Sequence, residues 1–237
     1  MASPLFSCVI PVKGARPYMD AALESLRNQG MDEELEIIVQ DGDTEPDAGQ
    51  SDALNKGFAK AKGEWLFWLN ADDVLLPGAL KTVKRHLHDS VSWIAGNVVY
   101  IDKDGKEICR KWEHGWKWAY DGLPVRVYGP SSFFRRELLE RSGGFDVSLR
   151  YMMDTDLWCR FRQLGYWYQK VPEYTWGFRV WNGSLTSSDL RGETPAEMSA
   201  ERSEIERRYS VRFGGWRKRM LHLSRIVDGS YLKSVLG

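Results

Sequence analysis

The chain has 237 residues, with 33 Lys and Arg against 33 Asp and Glu and a formal net charge of zero. That length supports one substantial core, or one α/β domain with a small appendage. The charge balance excludes a partner selected by global charge, nucleic acid among them. Three scattered cysteines, Cys8, Cys109 and Cys159, form no C-x-x-C pair. They predict a reducing, cytoplasmic setting and argue against a disulfide framework or a thiolate zinc site. The sequence shows no basic-then-apolar signal pattern and no apolar run of membrane-spanning length. Eleven tryptophans call for an unusual core or a stacking surface for sugars or lipids.

Residues 6–11 predict a short buried strand ended by Pro11, and 13–17 a tight loop. A helix follows with Met19, Ala22, Leu23 and Leu26 on one face, closed at Gln29-Gly30. A second strand, 35–40, runs straight into Asp41-Gly42-Asp43. After a loop at 45–50, Ser51 is the expected N-cap of a helix over 52–61, with Leu54, Phe58 and Ala61 inward and Gly63 just beyond. Gln50, Asp52 and Asn55 lie at or near its first turn. Helix N-termini favour anions, so these are candidate phosphate or ribose contacts; ordinary capping is the competing reading.

The third strand, 65–69, is an unbroken apolar run of the kind buried on both faces. It stops at Asn70-Ala71-Asp72-Asp73. Open α/β sheets place ligands beyond the carboxyl ends of their strands. Hard cations take oxygen ligands, commonly one or two carboxylates with substrate phosphates. On these residues alone, a metal–diphosphate site on Asp72 and Asp73 and a polar turn with a capping Asp are equal readings. Two strand ends that both run into acid favour the first.

Pro77 opens a helix to about residue 89, 91–100 reads as a strand, and 103–106 as a hairpin turn into 107–113. Trp112, Trp116, Trp118 and Tyr120 cluster with His114 without a clean period. They read as an aromatic loop beside the site, against a patch that fills the core. Residues 131–134 predict a short strand, 137–141 a helical turn and 143–146 a turn. From Asp154 onward, Leu157, Phe161 and Leu164 share one face of a helix ending at Gly165. Residues 166–171 and 176–179 look like two strands, 182–194 like a polar loop, and 195 to the end like two helices. Residues 201–237 hold nine Lys and Arg against four Asp and Glu. That basic, amphipathic stretch suggests contact with an anionic membrane surface; a helical cap or a homodimer contact is the alternative. The division is a domain at 1–194 and a helical, basic extension at 195–237.

As a set, several segments resemble a family-2 glycosyltransferase of the GT-A fold. They are Val9-Ile10-Pro11-Val12, Ile37-Ile38-Val39-Gln40-Asp41-Gly42, residues 45–57, Ala61-Lys62-Gly63-Glu64, Leu69-Asn70-Ala71-Asp72-Asp73, Pro77-Gly78-Ala79-Leu80, Gly143-Gly144-Phe145-Asp146, residues 151–160 and Phe178-Arg179. The resemblance implies an α/β, Rossmann-like nucleotide-binding fold with a mixed central sheet and, here, a C-terminal helical extension. It also implies inverting transfer of a sugar from a nucleotide-diphosphate donor, a UDP-sugar, to a hydroxyl of a glycan or lipid-linked acceptor. A divalent cation, Mn²⁺ or Mg²⁺, assists.

Carried over residue by residue, Pro11 and Val12 flank the nucleobase, and Asp41 receives its N–H. Asp72 and Asp73 fall on the D-x-D region that holds ribose and metal, and Asp154 falls on the general base. The implied nucleotide contacts are Pro11, Val12, Asp41, Asp43, Gln50, Asp52, Asn55, Asn70 and Asp72; the metal ligands are Asp72 and Asp73. Acceptor contacts are assigned to Trp112, Trp116, Trp118 and Trp181. Three positions depart from the family pattern: Asn70 for the first Asp of D-x-D, Met153 for the Glu before the base, and Trp181 where many relatives have His. A helix N-terminus stabilises an ionised carboxylate, so Asp154 is expected to be held in its charged form; a helix cap without a catalytic role is the competing reading. Two other functions compete: a sugar nucleotidyltransferase, on the weak basic loop 12–16, and a sugar-binding or scaffold protein that has lost turnover.

Overall fold

The computed structural model describes residues 3–14, 16–112, 125, 127–183 and 194–213. Its frame is an eight-stranded mixed sheet. The strands are β1 (Phe6–Val12), β2 (Leu35–Asp41), β3 (Trp65–Trp68), β4 (Val74–Leu75), β5 (Trp93–Ile101), β6 (Glu107–Lys111), β7 (Ser132–Arg135) and β8 (Gln169–Arg179). Their order is β2-β1-β3-β7-β5-β8-β4, with β6 paired to β5. β1 pairs in parallel with β2 and β3, and β7 is antiparallel to both β3 and β5. The carboxyl ends of β1, β2 and β3 therefore share one edge of the sheet.

Six α-helices and a 3-10 turn at Gly129–Ser131 complete the described chain: α1 (Met19–Arg27), α2 (Gln50–Lys60), α3 (Ala79–Arg85), α4 (Arg136–Ser142), α5 (Met153–Gln163) and α6 (Ala196–Tyr209). Alternation along β1 assigns the layers. Phe6, Cys8 and Ile10 pack with Ala22 and Leu26 of α1 and with Leu80 and Val83 of α3. Val9 packs on the other face with Leu54 and Phe58 of α2 and Leu157 and Phe161 of α5. Covering both faces is what makes the central strands continuously apolar. Gly57 lets α2 lie directly on β1, because the Val9 side chain fills the space a Cβ would need.

Most expected elements are present with shifted ends, and the shifts have local causes. The helix expected over 52–61 begins at Gln50 with Gly49 as its N-cap. Ser51, expected at the cap, lies inside the helix, and its hydroxyl donates to Leu149 O at 2.8 Å. Pro77 does not open its helix; Gly78, in the left-handed region at φ 75°, is the N-cap of α3. The residues between Asp73 and that helix pair with β8 as the short strand β4. The two strands expected at 166–171 and 176–179 form one strand, β8.

Trp158 of α5 joins the helix layer to the sheet. Its ring stacks on Trp93 at 4.7 Å and on Trp68 at 6.1 Å between centroids, each at 22° between planes. Its indole N–H donates to Val127 O at 3.0 Å. The first C-terminal helix, α6, belongs to this same core, contributing Met198 and Ile205. It is tied to α5 at Asp156, which is 1 % exposed. The Asp156 carboxylate accepts from Arg160 at 2.6 and 2.9 Å and from the Tyr209 hydroxyl at 2.6 Å, with Arg208 at 3.4 Å. The second helix expected after residue 195 lies outside the described residues. Asp156→Ala is expected to cost about 1–3 kcal/mol, because it removes the buried acceptor shared by the partly exposed Arg160 guanidinium and the Tyr209 hydroxyl. A lowered urea midpoint with an unchanged m-value would show it.

Candidate active site

The chain after β3 turns back within three residues and separates the two adjacent carboxylates. Asp73 is fully buried. Its Oδ1 accepts the Arg179 backbone N–H and its Oδ2 accepts the Asn70 amide, each at 2.8 Å. Burial and the neighbouring Asp72 charge push the Asp73 carboxyl well above the ordinary range. Asp72 is only partly buried, and its Oδ2 accepts the Trp181 indole N–H at 2.9 Å. So the two expected metal ligands have different surroundings: Asp72 reaches the surface and Asp73 lies beneath it.

Arg179, 4 % exposed, braces this turn. Its Nε donates to Asp72 O at 2.8 Å and one terminal nitrogen to Asp102 O at 3.1 Å. The guanidinium carbon sits 4.4 Å from the centre of the Tyr18 ring. Trp181 meets the same Tyr18 ring edge-on at 5.3 Å. Trp181, expected to touch the acceptor, is therefore joined to the Asp72 carboxylate. Tyr18 and the bracing role of Arg179 were not foreseen, since neither has a local sequence signature for these contacts.

At the end of β2, Asp41 is already engaged. Arg16 forks onto both of its oxygens at 2.8 and 2.9 Å and also reaches Asp43 at 2.8 Å. The Gly14 N–H donates to Asp43 at 2.9 Å. The Arg16 hydrogen bonds and the Asp43 N–H hold Asp41 below its usual range. Pro11 and Val12 lie beside this clasp at the end of β1, opposite Gln40 and Asp41.

The first turns of α2 make three different contacts. Gln50 donates to Asn70 Oδ1 at 2.9 Å, so Gln50, Asn70 and Asp73 form one hydrogen-bonded chain. Asp52 accepts from the Ala48 N–H at 3.0 Å and pairs with Lys56 at 2.9 Å. Asn55 is turned to the fold: its amide donates to Phe145 O at 2.9 Å and accepts the Phe145 N–H at 2.8 Å. Trp112, at the end of β6, packs against Tyr174 at 6.0 Å with Lys170 over its ring at 5.5 Å. Trp116 and Trp118 lie outside the described residues.

Asp154 sits in the first turn of α5. Its Oδ1 accepts the Thr155 N–H at 2.6 Å, and the Gly129 N–H also reaches its carboxyl. The ionised form favoured by the helix terminus is not the stronger influence. Burial outweighs these donors and pushes the carboxyl from 3.8 to about 6. Gly129 can approach so closely only because it lacks a Cβ, whose space the Trp68 ring occupies.

This arrangement is the GT-A fold. The mannosyltransferase PcManGT of Pyrobaculum calidifontis, solved with GDP-Man and Mn²⁺, superposes with a TM-score of 0.58 at 17% identity, over 97% of this chain and 76% of that one. S. aureus TarS 1–349 with UDP-GlcNAc gives 0.58 at 15% identity, over 77% of this chain and 60% of that one. Residues 44–143 match the family model described as Glycosyl transferase family 2. An uncharacterized glycosyltransferase of Rickettsia prowazekii is 27% identical over 189 residues, 67% of this chain and 59% of that protein. A PGL/p-HBAD biosynthesis glycosyltransferase of Mycobacterium bovis is 25% identical over 185 residues, 66% of this chain and 69% of that protein. The chain thus spans about three-fifths of the Rickettsia relative's length.

The raised Asp154 carboxyl has a sign-definite consequence for stability. The folded protein holds that proton up to about pH 6, whereas the unfolded chain releases it near 3.8. Across that window the folded state binds more protons, so stability falls as pH rises, and the penalty is complete above it. Asp154→Asn should therefore stabilise the fold by about 3 kcal/mol at alkaline pH and by nothing at strongly acidic pH. Urea titrations of both proteins across that range test it.

Proposed function

We propose that the chain is an inverting glycosyltransferase in which Asp154 is the general base and Asp72 presents the carboxylate for a divalent cation. The observation that supports this best is Asp154 itself: a carboxyl with its pKa brought to about 6, held at a helix start by its own N–H neighbours. A general base works best when its pKa lies near the operating pH.

Inversion takes one step. The acceptor hydroxyl oxygen forms the new bond to the anomeric carbon while the bond from that carbon to the diphosphate oxygen breaks. The bonding pair leaves with the diphosphate, and the hydroxyl proton goes to Asp154. Proton acceptance by a placed carboxylate contributes ~10²- to 10⁴-fold. Gln50 and Asn70 are read as polar contacts to the donor. Pro11, Val12 and Asp41 are read as the nucleobase end, with Arg16 having to yield both oxygens of Asp41 if Asp41 is to receive the base. Trp112 is read as part of the acceptor side.

The residues fit a cation of the Mn²⁺ or Mg²⁺ type, though sparingly. Among the described residues no group of three or more His, Cys, Asp or Glu is assembled to hold one. Asp72 offers one partly exposed carboxylate, and such cations commonly take one or two carboxylates with substrate phosphates. Asp73, with both oxygens committed inside the protein, is read as the support that orients the turn. A cation there would supply Lewis-acid stabilisation of the departing diphosphate.

A UDP-sugar is the expected donor, but the two structural neighbours carry UDP-GlcNAc and GDP-Man, so both bases belong in the test. Among the described residues no helix is long and apolar enough to cross a membrane. A lipid-linked acceptor would have to be met at the surface, and most of the basic stretch that suggested membrane contact lies beyond residue 213, outside the described residues. A sugar-binding protein without turnover is the second reading, favoured by two self-made contacts: Trp181 on Asp72 and Arg16 on Asp41.

Release of nucleoside diphosphate from UDP-N-acetylglucosamine and GDP-mannose, followed with Mn²⁺ and with chelator, separates the two readings. The transferase reading expects cation-dependent release that Asp154→Asn cuts by ~10²-fold or more while nucleoside diphosphate binding persists. Asp72→Asn should weaken the cation dependence itself. An Asp154→Asn protein with near-normal release would remove the base, and tight binding without any release by the unaltered protein would favour the second reading.

A further inference from the structure

Glu201 lies in α6, outside the segment matched by the family model. Its carboxylate receives three successive backbone N–H groups across the packing of α6 on α5. Oε1 accepts from Arg150 at 2.9 Å, and Oε2 accepts from Tyr151 and from Met152, each at 2.8 Å. Met152 is the N-cap of α5, and no side-chain cap bond is made there. A carboxylate 49 positions away in sequence therefore accepts the N-cap N–H of α5, the bond that a Glu or Gln three residues into the helix makes in a capping box. Bonds to an ionised carboxylate are shorter and stronger than those between neutral groups.

We propose that Glu201 is a positioning residue for Asp154: it fixes the turn at 150–152 and so sets the direction in which the first turn of α5 presents the base. The inference rests on the reading of Asp154 as that base. The body of α5 is held without Glu201, by Trp158, Leu157 and Phe161 in the core and by the Asp156 contacts with Arg160, Arg208 and Tyr209. Glu201 binds the backbone of the approach to the helix at 150–152, immediately before Asp154, while the Ser51 hydroxyl holds its flanks at Leu149 O and Met153 Sδ. A displacement of about 1 Å at a reacting group can cost ~10²-fold in rate. Loss of Glu201 should thus appear in turnover far more than in donor binding or folding.

The test compares Glu201→Ala, Glu201→Gln and Asp154→Asn with the unaltered protein. Nucleoside diphosphate release from UDP-N-acetylglucosamine and GDP-mannose gives kcat and KM, and calorimetry with UDP and GDP gives Kd. Glu201→Ala should lower kcat by ~10-fold or more, with KM and Kd within about twofold. Glu201→Gln keeps one good acceptor oxygen and should recover part of the loss. Unchanged kcat in Glu201→Ala overturns the proposal. So does a loss that merely tracks the folded fraction, read from the melting curve of the same sample. If Glu201→Ala does not fold, Glu201→Gln decides by the same criteria. Loss of turnover in Asp154→Asn with full turnover in the Glu201 variants refutes this inference alone. Full turnover in Asp154→Asn refutes the base and the positioning role together.

Discussion

The placement of α5 depends on one indole. Trp158 lies against Trp68 of β3 and Trp93 of β5, strands that are not neighbours but are joined through β7. Large aromatic side chains bury 150–250 Å² each, and paired rings add about 0.5–1.5 kcal/mol beyond their area. The stack therefore fixes both the height and the rotation of α5 over the sheet. The same Trp68 ring sets how closely the Gly129 segment can approach, and Gly129 is the group whose N–H reaches Asp154. Core packing and the environment of the carboxyl are one structure here, because a rigid aromatic layer leaves little freedom to the loop that covers it.

The two adjacent acids at the end of β3 show how a small difference in position becomes a difference in chemistry. Asp73 is taken out of water, and its oxygens are spent on Asn70 and on the Arg179 backbone. Asp72 keeps a partly exposed carboxylate, while its backbone oxygen is held by the Arg179 side chain. Arg179 thus grips both residues, one through its main chain and one through its guanidinium. A buried guanidinium lying on an aromatic face and bonded to carbonyls is costly to strip of water unless its donors are met. Those donors meet the Asp72 and Asp102 carbonyls, so the turn after β3 and the β5–β6 hairpin are held together at this point.

The first half of the fold was legible because β1, β2 and β3 are apolar runs that stop at polar or acidic turns, a pattern that both-face burial imposes. β8 was harder. Pro172 and Glu173 interrupt its pattern, yet the strand continues because Asn97 of β5 donates to both of their carbonyl oxygens. The ladder shifts register at that place, which no reading of β8 alone could foresee. Of the candidate site, the acid-rich strand ends and the Asp154 helix start were readable. The division between Asp72 and Asp73 was not, since it is decided by a partner 106 positions along the chain. The contacts of Asn55 were hidden for a related reason: its amide closes on the backbone of Phe145, 90 positions along the chain. Many tryptophans proved to be core, with Trp65, Trp68, Trp93 and Trp158 among the largest wholly buried side chains.

The distance in sequence between Asp73 and Arg179 also bears on how the protein is born. Chain emerges during synthesis at ~5–20 residues per second, so residues laid down early wait many seconds for those made late. Until β8 has appeared, β4 lacks the partner it pairs with, and Asp73 lacks one of the two donors that accompany its burial. An ionised carboxylate without its donors is costly to bury. The turn after β3 is thus among the last parts of the molecule able to set, after the strands that carry it have already paired. A fragment limited to residues 44–143 would lack β1, α5 and β8 alike, and would have neither a completed sheet nor a partner for its buried acid.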